Sequence, residues 1–364
     1  MEKIYELQWK EKYLDGVKHM EEIISGEEFS DLHVLDMFYC EIGLDGVQYL
    51  KEMLLSKRLK GLQELNLSGN ALKDEGFTCL LEALSTGCCP ELLYLSVDDN
   101  KISAASMPAL KALVESKGCP KLEAVSLNLN DLQEEGGKLF AEILSLSPVP
   151  WCRINLNENH IGNDAFDRIM EAIDSRSEFI SEITLSQSGL SSEKLSEFGT
   201  LLSKNKFPNL TVLDLSYNYS DDMLGGLLEG FAAGNTLKLR KLIISGMCME
   251  ADGCAKLSGI IRQKVLPELQ ELYIAENNIT QRGVLAILLA LRDTSCPVRV
   301  LDLSWNNLTD EGAKYIINFL NGKSKTSLAV MCLNQNDIAF KITDLQRALN
   351  QRNIRSPNLR EQWL

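Results

Sequence analysis

Across 364 residues there is no apolar run of the ~20 residues that a membrane-spanning helix requires, so membrane insertion is not expected. Histidine is scarce. His19, His33 and His160 stand far apart, and none of the ten cysteines belongs to a Cys-x-x-Cys pair. Without those ligand spacings no metal site is expected. The HExxH, GxxxxGK[ST], GxSxG and glycine-rich dinucleotide patterns are missing too. That leaves no motif for metal-assisted, nucleotide-dependent or serine-nucleophile chemistry, and neither enzyme activity nor a cofactor is expected. Positive charge is in deficit, with 37 Lys and Arg against 51 Asp and Glu, a net −14. Nucleic acid as the main partner calls for the opposite balance. The start, MEKIYELQWKEKYLDG, is charged rather than signal-like, so a cytoplasmic protein with reduced thiols is the expectation.

What is present is a repeat. Twelve times, at spacings of 29 or 30 residues, the chain returns to apolar, two residues, apolar, one residue, apolar, two residues, then usually asparagine. Leu62, Leu65 and Leu67 precede Asn70, and Val298, Leu301 and Leu303 precede Asn306. The last slot also falls at Lys10, Cys40, Asn100, Asn130, Asn159, Ser188, Asn218, Met247, Asn277 and Asn336. Alternation by two before the slot predicts a strand with one face inward. Ten and fourteen residues after it, pairs such as Leu50 with Leu54, Ile169 with Ile173, Leu257 with Ile261 and Ile287 with Leu291 lie on one face of a predicted helix. Six of the nine prolines, Pro90, Pro120, Pro150, Pro208, Pro267 and Pro297, fall nine or ten residues before the slot. There proline opposes helix and suits the return loop.

A unit of one strand and one helix cannot bury its own apolar face, so neighbours must stack. The phase is unbroken and no Pro/Gly/Ser-rich linker interrupts it, which predicts a single domain over 1–364. Within it, about 1–30 form an N-terminal capping repeat, 31–338 the repeats and 339–364 a C-terminal cap, where Ile342, Leu345 and Leu349 predict an amphipathic helix.

The repeat length and the helix in every unit resemble the ribonuclease-inhibitor-like leucine-rich repeats, from about Tyr5 to about Ile338. That family includes ribonuclease inhibitor, the sensing ends of NOD-like receptors, the GTPase-activating protein for Ran, tropomodulin and bacterial effectors. The resemblance selects no one member. It implies an α/β solenoid, a horseshoe with a parallel β-sheet on the concave face and α-helices on the convex face. It also implies that Asn70, Asn100, Asn130, Asn159, Asn218, Asn277, Asn306 and Asn336 form a buried structural ladder, because an unpaired buried amide costs ~1–3 kcal/mol. Cys40 and Ser188 are plausible small substitutes in the slot. Met247 has no comparable donors, so an altered loop is expected from Gly246 to Gly253.

On such a sheet the side chains six, four, two and one residues before the slot face outward. They are acidic at Glu6, Asp36, Glu64, Asp98, Asp99, Glu158, Glu182, Asp214, Glu271, Glu276 and Asp302, against basic Arg153 and Lys241. Aromatics group near the start, at Trp9, Phe38, Tyr39 and Tyr94, and near the end, at Tyr217, Tyr273 and Trp305. The middle turns are small and polar at Ser126, Asn128, Asn155, Asn157, Thr184 and Ser186. Aromatics favour strands for packing alone, yet exposed ones also dominate interfaces. The candidate protein-binding residues are therefore Asp36, Phe38, Tyr39, Tyr94, Asp98, Asp214, Tyr217, Glu271, Tyr273, Glu276, Asp302 and Trp305. The expected function is a non-enzymatic scaffold binding a basic or neutral protein on an acidic concave face. The alternatives are a GTPase-activating protein of the Ran-activator type and an occluding inhibitor of a basic enzyme. The sequence leaves the oligomeric state open.

Overall fold

The computed structural model describes residues 6–8, 31–218, 223–233, 237–322, 326–357 and 359. Trp9, Lys10, most of the first repeat and the tail through Trp363 lie outside them.

In the unit Met1–Ser188, seven three-residue strands run parallel in chain order. They are β1 (Glu6–Gln8), β2 (Val34–Asp36), β3 (Glu64–Asn66), β4 (Tyr94–Ser96), β5 (Ala124–Ser126), β6 (Arg153–Asn155) and β7 (Glu182–Thr184). Helices α1 (Gly43–Leu55), α2 (Lys73–Ser85), α3 (Met107–Ser116), α4 (Gln133–Leu146) and α5 (Gly162–Ile173) follow β2 to β6 in turn. In the unit Gly189–Leu364, the strands are β8 (Val212–Asp214), β9 (Lys241–Ile243), β10 (Glu271–Tyr273), β11 (Val300–Asp302) and β12 (Val330–Cys332). Its helices are α6 (Ser192–Ser203), α7 (Met223–Ala233), α8 (Glu250–Arg262), α9 (Gln281–Thr294), α10 (Asp310–Asn321) and α11 (Ile342–Gln351). No helix among the described residues is long and apolar enough to cross a membrane.

Repeat lengths that differ by no more than one residue keep the pairing in phase: Glu64, Leu65 and Asn66 stand opposite Tyr94, Leu95 and Ser96. Within each unit the strand centres therefore stack on their counterparts, and Leu65, Leu95, Val125, Ile154 and Ile183 in the first and Leu213, Leu242, Leu272 and Leu301 in the second are all fully buried. The helix pairs read from the sequence face the same interior, with Leu50, Leu54, Ile169 and Ile287 equally inaccessible. Each such side chain removed from water contributes ~1.5–3 kcal/mol.

The asparagine slot works as a ladder. Asn70 donates through Nδ2 to the carbonyls of Met37 (2.8 Å), Leu67 (2.9 Å) and Ser68 (3.2 Å). Its Oδ1 accepts the Ile42 amide at 3.2 Å. Asn100, Asn130, Asn159, Asn277, Asn306 and Asn336 repeat these links one turn on. At two of the substituted slots a smaller group reaches the nearest carbonyl, with Cys40 Sγ 3.7 Å from Phe38 O and Ser188 Oγ 3.4 Å from Ser186 O.

The loop after Met247 is not altered as expected. Gly246, Cys248 and Glu250 take left-handed φ of 63°, 49° and 48°, the pattern of Glu158, His160 and Gly162 at 57°, 51° and 73°. The reason is that the loop is held from the next repeat: Asn277 Oδ1 accepts the Met247 and Met249 amides at 2.9 and 3.2 Å. Those are backbone donors, which methionine supplies as well as asparagine does.

After β12 the predicted final helix is present as α11, burying Leu345, Ala348 and Leu349. Beyond it Arg355 bridges Val330 in parallel, its amide donating to Ala329 O and its carbonyl accepting from Met331 N. That bridge covers backbone groups an open sheet edge would expose.

Candidate functional site

The residue just before the slot determines what the strand side presents. In Met1–Ser188 it is left-handed at Tyr39, Gly69, Asp99, Leu129, Glu158 and Gln187, with φ between 47° and 73°. In Gly189–Leu364 the same holds for Tyr217, Gly246, Glu276, Trp305 and Gln335, between 52° and 63°. A side chain held there costs on the order of 1–3 kcal/mol. The cost is offset because the turned amide still finds an acceptor in the next repeat: Tyr39 N donates to Ser68 O at 2.9 Å, and Trp305 N to Asn334 O at 2.9 Å. Each unit therefore carries a row of side chains fixed at strand exit.

On this row one three-residue device occurs in each unit. Tyr39 lies across Gly69, and its hydroxyl donates to Asp99. Tyr217 lies across Gly246, and its hydroxyl donates to Glu276 at 3.0 Å. A Cβ on Gly69 would stand 2.6 Å from the Tyr39 ring, and one on Gly246 would stand 2.3 Å from the Tyr217 ring. Glycine at these two positions thus supplies both the positive φ and the seat for the ring. The hydrogen bond to Asp99, and that carboxylate's charge, hold the Tyr39 hydroxyl above the ordinary tyrosine pKa.

The aromatics differ in how far they protrude. Phe38 and Tyr39 form a T-shaped pair with centroids 4.6 Å apart and are 55% and 44% exposed, while Trp305 is 56% exposed. Leu129, on the same row, is 46% exposed and stands outside the aromatic and acidic candidates that the sequence offers. Tyr94 and Tyr273 are instead partly covered. The Arg153 guanidinium stands 5.1 Å from the Tyr94 ring and 3.8 Å from Glu182. Lys241 stands 5.3 Å from the Tyr273 ring and 3.8 Å from Glu271. Burial, then the Glu271 charge and hydrogen bond, push the Tyr273 phenol up to about 12. The two basic residues of this face are thus engaged by its own acids.

Several candidate acids are engaged internally. Asp36, Asp214 and Asp302 each accept the amide two residues on, from Phe38 (3.2 Å), Ser216 (3.0 Å) and Ser304 (2.9 Å), and Asp214 is only 8% exposed. Asp98 accepts from Ser126 Oγ at 2.6 Å and from the Asn128 amide at 2.8 Å, and burial raises its carboxyl pKa against those bonds.

The small polar positions form a second ladder that the sequence did not disclose. Ser68 Oγ accepts the Asp98 amide, Asn128 Oδ1 the Asn157 amide and Asn157 Oδ1 the Ser186 amide. Ser216 and Ser245 continue it in the other unit, accepting from Ser245 and Ala275. Ser126, Asn155, Thr184 and Ser186 are accordingly buried rather than displayed. Among the described residues no group of three or more His, Cys, Asp or Glu is arranged to hold a metal ion.

A leucine-rich-repeat family model matches residues 30–51, 62–81, 118–141 and 294–316. Ribonuclease inhibitor from Sus scrofa is 27% identical over 156 residues, and that from Mus musculus 27% over 157 residues. Each match covers 43% of this chain and 33% of the relative, so the chain spans about a third of the length of the curated relatives it matches. Solved structures with some likeness include an internalin from Listeria monocytogenes, 17% identical over 94% of each chain at a TM-score of 0.44. A leucine-rich-repeat protein from Leptospira interrogans is 16% identical over 90% of this chain and 78% of that one, at a TM-score of 0.41. The in-phase strand-and-helix units, the asparagine ladder and the sequence matches make this chain similar to the leucine-rich-repeat proteins of the ribonuclease-inhibitor-like kind, whose fold it shares.

Proposed function

We propose that the strand side is a protein-docking surface for a basic or neutral protein, without chemistry of its own. The observation that carries this reading is the strand-exit row, where Tyr39 and Trp305 are exposed yet held by left-handed backbone, with the exposed Phe38 packed edge-on against Tyr39. Aromatic anchors fixed before contact lose little side-chain freedom on binding, which is why such residues dominate interface energetics. Around them Glu64, Asp99, Glu158 and Glu276 supply negative charge, while Arg153 and Lys241 face the sheet's own glutamates. A net negative surface speeds and orients encounter with a cationic partner.

The test compares partners captured by wild type with those of a Tyr217→Ala, Tyr273→Ala, Trp305→Ala triple variant and a Phe38→Ala, Tyr39→Ala double variant. Loss of a captured partner from at least one variant is the expected result. Identical capture by all three proteins would sink the reading.

A second reading, occlusion of a basic enzyme, is favoured by the acidic row together with the name of the matched relatives, ribonuclease inhibitor. Addition of the protein to a basic ribonuclease should then slow RNA cleavage, with inhibition falling as salt rises. Unchanged cleavage at low salt refutes it. The reading also places the protein in a reducing, cytoplasmic setting, which suits ten free cysteines. It takes residues 1–364 as one folding domain, because the repeat phase continues in sequence through 188–189 without a linker.

A further inference from the structure

The chain's charge reverses near its C-terminal end. Residues 310–359 hold seven Lys and Arg against four Asp and Glu, a net of +3 in a chain of −14, so the remainder carries −14 minus +3, or −17. The reversal has a location on the helix side. A groove of about 410 Å³ between α10 and α11 is lined by Lys314, Lys341, Arg347, Ile317 and Ala348 among others, with Asp344 as its one acidic wall residue. Asp344 is shared between Lys341 Nζ at 3.1 Å and Arg347 Nη1 at 3.4 Å. One carboxylate therefore serves two cations, and Lys314 adds a third.

Next to Lys341 stands Phe340, 91% exposed. Its position is imposed: the Asp310 carboxylate accepts the amides of Ala339 (3.1 Å), Phe340 (3.1 Å) and Lys341 (2.9 Å). A fully solvated phenylalanine on a pinned loop is costly to display, and beside a cationic groove it supplies an apolar contact next to a charge contact.

We infer that this groove docks an acidic peptide segment carrying at least one apolar side chain. Carboxylates of the segment meet Lys314, Lys341 and Arg347, while the apolar residue rests on Ile317 and on Phe340 next to Lys341. A free inorganic anion would use the cations and leave the apolar wall uncovered. The site is separate from the strand-side surface, so each stands or falls without the other.

The probe is a fluorescently labelled peptide of alternating glutamate and leucine, followed by anisotropy on the full chain at low salt, with its glutamine counterpart as control. The glutamate peptide binds and the glutamine peptide does not. K314Q/R347Q weakens binding about three- to tenfold, as two exposed charge pairs warrant, and F340A weakens it without altering the salt dependence. All three side chains are surface groups, and an unchanged melting curve shows that each variant folds. Equal binding by wild type and K314Q/R347Q, equal binding of the two peptides, or no binding at all overturns the proposal. So does tighter binding of heparin or of phosphatidylserine vesicles than of the peptide at this face, since either would assign it to a different partner.

Discussion

Replacing Asn100 with leucine isolates what the ladder contributes. The two side chains have nearly the same shape, so the change removes polar contacts without opening a large cavity. Asn100 is fully buried. Its Nδ2 donates to Leu67 O and Asp98 O, both at 2.9 Å, and its Oδ1 accepts the Asn70 and Leu72 amides, both at 3.1 Å. Both carbonyls keep a second donor, Asn70 Nδ2 for Leu67 O and the Gly69 amide for Asp98 O. The two amides lose the acceptor they share. At ~1–3 kcal/mol for each buried donor left unpaired, Asn100→Leu destabilises by about 2–6 kcal/mol. Urea unfolding followed by circular dichroism measures the loss. Hydrogen exchange locates it, with the Asn70 and Leu72 amides exchanging faster than in wild type. Asn307→Leu, at an exposed position, serves as the control and should shift stability by no more than ~0.5 kcal/mol. A loss below about 1 kcal/mol for Asn100→Leu, with unchanged exchange at both amides, would refute the account of the ladder.

Gly246→Ala should destabilise by ~1–3 kcal/mol and displace Tyr217 from Glu276, because its φ is +63° and the new Cβ would meet the ring at 2.3 Å; melting curves and tyrosine fluorescence report both effects. Gly259→Ala, in α8 with nothing within 4 Å, should instead stabilise by ~0.4–1 kcal/mol. Tyr273 should be a late tyrosine to ionise in an absorbance titration. Its folded value, about 12, lies above the ordinary tyrosine value of 10.0, so the stability it contributes is complete below pH 10 and lost as pH rises toward 12. Glu271→Gln should move that titration downward. Cys248, the exposed cysteine, should react first with a thiol reagent under native conditions, and Cys248→Ser should remove the fast phase.

The periodic part of this protein was open to reading from one sequence. Strand centres such as Leu65 and Leu301, helix pairs such as Leu50 with Leu54, and ladder residues such as Asn70 recur at a fixed phase, and each recurrence has one physical reading. The site was legible only in outline. The aromatics Phe38, Tyr39 and Trp305 stand on the surface where the phase put them. Asp214 and Ser126 occupy outward-phase positions as well, yet both are buried, Asp214 accepting the Ser216 amide and Ser126 donating its hydroxyl to the Asp98 carboxylate. Met247 shows the opposite case, an irregular residue in a regular loop, because the acceptor that shapes the loop belongs to Asn277.

Sequence alone therefore determined the repeat, the in-phase stacking and the buried ladder, since each follows from apolar periodicity and from the cost of an unpaired amide. Tertiary structure decided which polar side chains remain available to a partner. That depends on where the chain turns left-handed at strand exit and on which amides of the next repeat come within reach, distances that join residues about 30 apart and leave no mark on either residue's identity.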